Sequence, residues 1–569
     1  MPTPSTGPPK PRKPRPSRAR SDRECLYSSS KDAVADTPSN ASGSVQSTSP
    51  AHEDASSSAA FSPGSAASSR RPIPREIDPQ VWQASPELLF ESPSTVINSL
   101  PSPNSAPLAY YDLLAEDAMN NIDKHNLNLD LERTTFSRPS SPEIASPGIG
   151  TPNPDSQLGR QDRSAEDAQM QEQWNSTDIL PITEDELVLF KHYVSVIGPI
   201  LDLSDPSKQF TTVVPALAVH NVGLLKSLLA VAARHMALLS EPQLHQLNLQ
   251  DPVPTSDTTS ANHLRNPLLR AATQYYYETL HYLSKNLFYS SYSRSREIIS
   301  TSILISTYEM WDSEGQYSNG AWERHLRGIF WIQRSQNNNG ECKDPLRRAA
   351  WWQWLRQDSW VAFREGRRVL TIWRPTKRLM DLTPDGLALR IVYICGRCID
   401  FAATEKKYDI ATRIEQAGKL LQALEDWRKA LPSSFQPLYQ GPQLMQGEAF
   451  RPIWIHPPSF AAAIQNFHIG RILVLINQPS IGGIDEFRVR QRALDESVEI
   501  ICGIALSHQS KELPSAMINF QAIYTAGLCV QDPVKQAAIL HLLEQTLDIT
   551  RFPPKSLLAD LASYWGAES

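Results

Sequence analysis

The chain has 569 residues, a formal net charge of −6 and six cysteines. A slightly negative net charge does not suit a protein that coats nucleic acid along its whole surface. Six cysteines in so long a chain do not make a disulfide framework. We find neither an N-terminal signal sequence nor an uninterrupted apolar segment near the ~20 residues of a membrane span. We therefore expect an intracellular protein with reduced cysteines and no membrane contact.

Residues 1–31 form a basic arm that is interrupted by prolines. Its cations are Lys10, Arg12, Lys13, Arg15, Arg18, Arg20 and Arg23. Proline at this density prevents helix formation and favours an extended, solvated chain. Such an arm can bind DNA phosphates without reading the bases, can direct nuclear import, or can simply keep the chain soluble. The sequence leaves these three alternatives open.

Residues 32–181 are predicted to be a disordered linker rich in serine and proline. About half of the 45 prolines lie before Pro181, whereas most of the tryptophans and tyrosines follow it, so this segment has little with which to build a core. Two islands, 82–90 and 110–117, are richer in apolar residues, and the second reads Tyr-Tyr-Asp-Leu-Leu-Ala-Glu-Asp. Aromatic and leucine residues among acids can form a short helix on a partner, which would suit an activation segment.

The hydrophobic pattern becomes helical from Thr183 onwards. Thr183 with Glu186 three residues later is typical of a capped helix start, and residues 225–239 repeat their apolar side chains at helical spacing. Further helices are predicted near 267–287, 296–311, 322–333, 346–367, 387–403, 410–431, 460–476, 488–506, 516–529 and 535–547. Strand-like alternation is scarce. The prediction is an all-α fold, with a multi-helix domain over 182–569 preceded by a long disordered N-terminal region.

No recognisable catalytic motif is present, so we do not expect an enzyme. Cys395 and Cys398 form a Cys-x-x-Cys pair, but a structural zinc site usually needs a second pair, and this one lies in an apolar helical run. We therefore interpret both cysteines as core residues. His235 adjoins the apolar face of its helix, which predicts a core-edge or cap-pairing histidine rather than a catalytic one.

The segment 351–368 is unusually rich in large rings: Trp351, Trp352, Trp354, Trp360 and Phe363. Such rings bury large areas, so we predict a core helix with Arg356, Asp358 and Arg364 paired at its rim. The alternative interpretation is an effector pocket lined by these rings, in which Arg364, Arg367 or Arg368 would bind an anionic metabolite.

The same segment resembles the central signature of the fungal-specific transcription factor domain. The matching positions are Trp354, Arg356, Gln357, Asp358, Ala362 and Arg364. Residues 193–206, "YVSVIGPILDLSDP", resemble the entry of that domain, and residues 214–218 with 224–239 are similar to its second and third helices. The resemblance covers residues 183–550 and implies a nuclear, mostly helical regulatory domain of a fungal transcription factor.

In that family the regulatory domain usually follows a DNA reader in which six cysteines hold two zinc ions. Here Cys25 is the only cysteine before Cys342. Residues 21–27 resemble the end of such a cluster, which makes Cys25 a remnant ligand without a complete metal site. A tetrahedral structural site tolerates no missing ligand, so zinc is expected only if the other five cysteines were restored. An omitted exon, a mis-predicted gene or a true loss would each explain their absence.

These observations favour a nuclear transcriptional regulator whose DNA reader is incomplete, so that its DNA contact would be weak or non-specific. The alternative is an interaction protein of the same fold that does not bind DNA, but dimerises with zinc-cluster relatives and titrates them. Expected partners are related regulators, as homo- or heterodimers, and the transcription machinery. An all-α enzyme is a third hypothesis, which no convergent catalytic set supports.

Overall fold

The computed structural model describes Tyr110 and residues 174–240, 266–312, 321–404, 408–442, 449–508, 513–552 and 555–568. The predicted basic arm, Cys25 and almost all of the predicted linker lie outside these residues. What was expected of them therefore remains a prediction.

Helices make up nearly all of the described secondary structure, which confirms the all-α class. The first group consists of α1 (Glu184–His192), a π-helical turn (Tyr193–Ile197), α2 (Gly198–Leu201), α3 (Gln209–Ala218), α4 (Val222–Leu239), α5 (Pro267–Asn286), α6 (Ser290–Ser293), α7 (Arg296–Asp312), α8 (Ala321–Ser335) and α9 (Pro345–Glu365). The second group consists of a 3-10 turn (Leu379–Asp381), α10 (Pro384–Thr404), α11 (Ile410–Lys429), a 3-10 turn (Ser433–Phe435), α12 (Pro458–Asn477), α13 (Gly483–His508), α14 (Leu513–Gly527), α15 (Pro533–Thr550) and α16 (Lys555–Glu568). Between α11 and α12, β1 (Tyr439–Gln440) and β2 (Ile453–Trp454) pair antiparallel, with Tyr439 opposite Trp454.

The predicted start of the first helix is confirmed. Thr183 Oγ1 accepts a hydrogen bond from the Glu186 backbone N–H at 3.3 Å, and Glu186 Oε2 accepts one from the Thr183 N–H at 3.0 Å. This reciprocal box satisfies two N–H groups that the helix itself cannot pair. Local sequence therefore fixes where α1 begins.

Helix α3 begins through a cap that local sequence does not reveal. Its N-terminal N–H groups, on Phe210 and Thr211, donate to the Asp202 carboxylate at 2.9 and 2.7 Å. Asp202 lies eight residues before Phe210, outside the usual N-cap position. Helical periodicity also did not identify α16, which packs on α14 and α15 near the end of the chain.

Two helices form the centres of the packing. Helix α4 packs on α1, α3, α5 and α7, whereas α12 packs on α10, α11, α13 and α14. Helix α9 joins the two groups because it contacts α3, α7 and α8 of the first and α10 of the second. Because α9 is enclosed by these neighbours, it buries polar side chains such as Gln357 and Asp358 together with its tryptophan rings.

Helices α4 and α12 are long and apolar enough to cross a membrane, by length and composition alone. Charged residues interrupt both helices, Lys226 and Arg234 in α4 and Arg471 in α12, so neither is an uninterrupted apolar segment. Of the relevant windows, 78% in α4 and 72% in α12 is buried inside the fold. Such burial is typical of core helices in a folded domain.

The first group of helices also includes a residue upstream of position 182. Trp174, which was predicted to lie in the linker, is buried, and its indole N–H donates to Ser291 Oγ at 3.2 Å. Its carbonyl accepts from Asn221 Nδ2 at 3.3 Å and from the Tyr282 hydroxyl. Asn221 is the N-cap of α4, so this tryptophan is bonded directly to the central helix.

Candidate functional site

Helix α9 carries the family-like signature, and its ends are defined by local sequence. Asp344 Oδ1 accepts from the Arg347 backbone N–H at 3.1 Å, and Pro345 occupies the first helical position. The helix ends at Gly366, whose φ of 62° is left-handed and favours glycine. Within it, Ala362 is fully buried.

The tryptophans of α9 are core residues, as predicted. Trp351, Trp354 and Trp360 are only 2%, 1% and 4% exposed. The indole N–H of Trp354 donates to the Leu326 carbonyl of α8 at 2.9 Å. At the other end of the helix, the ring of Trp360 lies edge-on to Phe520 of α14, with centroids 5.3 Å apart. These rings therefore tie α9 to both helical groups.

Three tryptophan rings meet over Gly340. A Cβ built at this position would lie 2.9 Å from the rings of Trp351, Trp352 and Trp373. The indole N–H of Trp352 also donates to the Gly340 carbonyl at 3.1 Å. The absence of a side chain at 340 thus permits the rings to close. Neither Gly340 nor Trp373 lies in a periodic helix, so no local sequence signal indicates their role.

Gln357 belongs to a buried polar network between α9 and α7. Its Oε1 accepts from Ser306 Oγ at 2.6 Å, and its Nε2 donates to Thr307 Oγ1 at 3.1 Å. The Trp322 indole N–H in turn donates to Ser306 Oγ at 3.1 Å. Because its members satisfy one another, the network stabilises the packing of α9 on α7.

Asp358 lies inside the fold rather than at the rim of the helix, which corrects the sequence prediction. It is fully buried and accepts from Arg367 Nη2 at 2.8 Å and from the Leu370 N–H at 2.7 Å. Burial raises the pKa of its carboxyl, an effect that the nearby Arg367 opposes. Arg367 also contacts Glu365 and Glu323, at 2.8 and 3.5 Å. Arg367 is therefore committed to a structural ion network.

Neither Arg356 nor Arg364 pairs with Asp358. Arg364 forms an ion pair with Asp560 of α16, and its guanidinium lies over the Tyr524 ring, 4.5 Å from the centroid. Arg356 donates to Ser204 Oγ and to the Leu201 carbonyl, both at 3.0 Å. Burial lowers the pKa of Arg356 to about 10, so it stays protonated at neutral pH. The two arginines fasten α9 to opposite ends of the described chain.

A cleft of 270 Å³ lies beside Arg356 and contains charges of both signs. Its cations are Arg348, Arg356, Lys377 and Arg390, and its anions are Asp205, Glu341, Asp381 and Asp385. Arg390 donates from both terminal nitrogens to the Lys377 carbonyl at 3.0 Å, while Glu341 accepts from the Lys377 N–H at 3.1 Å. These bonds hold the segment 371–378 against the tryptophans. The cleft has no excess positive charge with which to select an anion.

A second cavity, of 240 Å³, lies beyond Trp373 and is lined by rings and amides. Trp351, Trp354, Trp373 and Phe330 line it together with Gln333, Arg334, Asn337, Asn338, Asn339, Thr371 and Ile372. Asn338 Nδ2 donates to Gln333 Oε1 at 3.0 Å, while Gln333 Nε2 and Asn338 Oδ1 are buried with no hydrogen-bond partner among the residues described. A wall of this kind suits a neutral, flat group more than an anion.

The structure does not bring Arg364, Arg367 or Arg368 into a tryptophan-lined pocket. None of the three lines the cavities found in the described residues, and Arg364 and Arg367 are bound to acidic side chains. This arrangement favours the interpretation of α9 as a core helix over that of an effector pocket. Cavities do flank the tryptophans, but other side chains line them.

Cys395 and Cys398 are core residues, as predicted. Both are buried in α10, and burial raises the pKa of the Cys395 thiol to about 12. Gly470 of α12 packs against them, since a Cβ there would lie 3.3 Å from Cys398 Sγ. Among the described residues, no three His, Cys, Asp or Glu side chains are grouped so that they could hold a metal ion.

His235 is buried deeper than the core-edge position predicted for it. It is 1% exposed, and its Nδ1 lies 2.9 Å from His192 Nε2 of α1. Its ring also packs against Trp311 of α7, with centroids 4.9 Å apart. Burial, with smaller effects of His192 and Arg551, lowers the pKa of His235 to about 3. The imidazole is therefore neutral and links α1 to α4.

Residues 188–342 match the family model of the fungal specific transcription factor domain. The matched part runs from α1 to the loop before α9, so the tryptophan helix lies just beyond it. No curated protein matches the chain, and neither does any solved structure.

Proposed function

We propose that this chain is a fungal transcriptional regulator that acts in the nucleus, with residues 182–569 as its regulatory domain. The observation that carries this proposal is the family match over residues 188–342. It is supported by the packing of α9 on α7 and α8 of the matched part and on α10 beyond it. The helices after residue 342 therefore pack in the same core as the matched helices.

The role proposed is regulatory rather than enzymatic. The polar side chains of α9 are engaged in structural bonds, as Gln357 is with Ser306 and Asp358 is with Arg367. The Cys395 thiol is buried and protonated because its pKa is raised, and a protonated thiol is a poor nucleophile. These groups stabilise the fold and are not available for chemistry.

The DNA reader is proposed to be incomplete in this chain. A binuclear cluster needs six thiolates, and Cys25 alone precedes Cys342, so the residues present do not fit two zinc ions. The basic arm would then contact DNA phosphates without reading the bases. The same cations would serve nuclear import.

The alternative proposal is an interaction protein that dimerises with zinc-cluster relatives and titrates them. An exposed apolar patch at the start of α13 favours a protein partner: Ile484 is 65% and Phe487 is 60% exposed. These residues lie three positions apart, on one face of the helix. Related regulators or the transcription machinery would be the partners.

A reporter assay tests the regulatory role. The full chain is fused to an unrelated DNA-binding domain and placed at a promoter that carries the corresponding site. We expect reporter transcription to change relative to the DNA-binding domain alone. Unchanged transcription, with the fusion shown to be folded and nuclear, would contradict the proposal.

A mobility-shift titration over salt tests the proposed DNA contact. We expect binding without sequence preference, with a log–log salt slope of up to about −6 if all seven arm cations neutralise phosphates. Replacing those seven residues by alanine should abolish the shift. A preferred DNA sequence would contradict the incomplete reader, whereas no shift at any salt together with co-purification of a zinc-cluster relative would favour the titrating role.

A further inference from the structure

Tyr110, far upstream of the predicted helical domain, lies in its core. Its side chain is fully buried, and its ring lies on Gly328 of α8. A Cβ built at 328 would lie 3.2 Å from the ring Cγ and would overlap Cδ2 and Cε2. The ring therefore occupies the space that a side chain at 328 would fill. We call this position the glycine notch of α8.

Aromatic residues from the first helical group lie next to the notch. Tyr292 of α6 is fully buried, and its pKa is raised by burial and, to a lesser degree, by neighbouring groups that include Tyr110. The Tyr292 ring in turn contacts Trp174 and Tyr282, with centroids 5.2 and 5.8 Å away. Tyr110 and Trp174, both from upstream of position 182, are therefore both part of the buried core.

Charge is complementary between α8 and the segment that begins at Tyr110. From Tyr110 to Asp123 the sequence contains four acids, Asp112, Glu116, Asp117 and Asp123, and no lysine or arginine. Helix α8 contains Arg324, Arg327 and Arg334 against a single acid, Glu323. An acidic segment led by an aromatic residue is therefore suited to this helix.

We propose that the glycine notch of α8 is an interaction surface for the chain's own acidic aromatic segment, with Tyr110 as its anchor. The notch accepts a flat ring because position 328 has no side chain. While Tyr110 is in place, the notch is closed to an aromatic residue of any other protein. This inference is independent of the proposed function, since it needs neither DNA nor a partner.

Four variants of the full-length chain test the anchor: Gly328→Ala, Tyr110→Ser, the combination of both, and Gly418→Ala as a matched control. Gly418 is a helical glycine of α11 whose Cβ would meet nothing within 4 Å. Gly328→Ala should lower the Tm and accelerate amide hydrogen exchange in peptides that contain residue 110. Gly418→Ala should do neither, because alanine favours a helix and meets no neighbour.

The combined variant separates loss of the anchor from general damage to α8. Once the Tyr110 ring is absent, Gly328→Ala has nothing to displace, so the combination should melt no lower than Tyr110→Ser alone. The proposal would be overturned if Gly328→Ala lowered the Tm equally with and without the Tyr110 ring. It would also be overturned if exchange near residue 110 were as fast in the parent chain as in Tyr110→Ser.

Discussion

Arg367 Nη2 lies 2.8 Å from Asp358 Oδ1, across the turn that ends α9. The other oxygen of the same carboxylate accepts the Leu370 N–H at 2.7 Å, so one buried side chain holds both the cation and the departing backbone. The last turn of the tryptophan helix and the segment that follows it are therefore fixed by one charged pair. A pair this deep is costly to break, because the partner left behind remains buried and charged.

Replacing Asp358 by asparagine tests this pair. The change keeps the shape but removes the buried carboxylate from Arg367, which retains Glu365 and Glu323, so we expect a loss of about 1–3 kcal/mol in the free energy of unfolding. Chemical denaturation of the full chain measures it. Asp381→Asn, in the exposed pair with Arg378, is the control and should leave stability unchanged. If both substitutions changed the free energy of unfolding equally, the buried pair would stabilise the fold no more than the exposed pair.

Gly340→Ala tests the meeting point of the three tryptophans. The added methyl would lie 2.9 Å from three rings, so the rings must separate, at a cost of about 1–3 kcal/mol. Tryptophan emission should shift to the red as water reaches the indoles, and the Tm should fall. If neither changed, the close approach at position 340 would not be a packing constraint.

Arg356→Lys tests the two hydrogen bonds by which the Arg356 guanidinium joins α9 to the end of α2 and the loop that follows it. A lysine ammonium cannot reproduce the guanidinium geometry that serves Ser204 Oγ and the Leu201 carbonyl together. We expect a loss of about 1–3 kcal/mol in the free energy of unfolding, because a partly buried acceptor loses its donor. Arg428→Lys, at a half-exposed pair on α11, should be neutral. If Arg356→Lys left the free energy of unfolding unchanged, a positive charge at position 356 would be enough to hold this contact.

The buried histidine predicts acid sensitivity. The pKa of His235 is lowered to about 3 in the fold, against 6.5 for an ordinary histidine. Below pH 6.5 the unfolded chain therefore binds a proton that the folded chain does not. The contribution of His235 to stability should be complete above pH 6.5 and should fall as the pH decreases towards 3, by about 2 kcal/mol between pH 6.5 and pH 5.

Urea denaturation of the parent chain and of His235→Gln, at pH 7.5 and pH 5, measures this dependence. Burial raises the pKa of Asp202 to about 6, which has the opposite sign in this range. That effect is common to both chains, so it cancels in the comparison. The variant should lose less stability on acidification than the parent, and an equal loss would show that His235 does not titrate on unfolding.

Local sequence predicted most of the described helices because their signals are local. The Thr183 box and the apolar repeat of α4 both act within one or two helical turns. The tryptophans of α9 were predicted to be buried for a similar reason, since rings of that size seldom remain exposed. The cap of α3 was missed because its acceptor, Asp202, lies outside the first turn.

The sequence by itself therefore determined most of the helical segments and the burial of the large rings of α9, but not the last helix or the burial of Asp358. Tertiary structure alone decided the partners: Asp358 pairs with Arg367 rather than with an arginine of its own helix face, and Tyr110 lies on Gly328. The physical reason is the sequence distance over which each kind of interaction acts. Helix formation depends on neighbours three or four residues apart, whereas the choice of a buried partner depends on how distant helices pack, which no local pattern encodes.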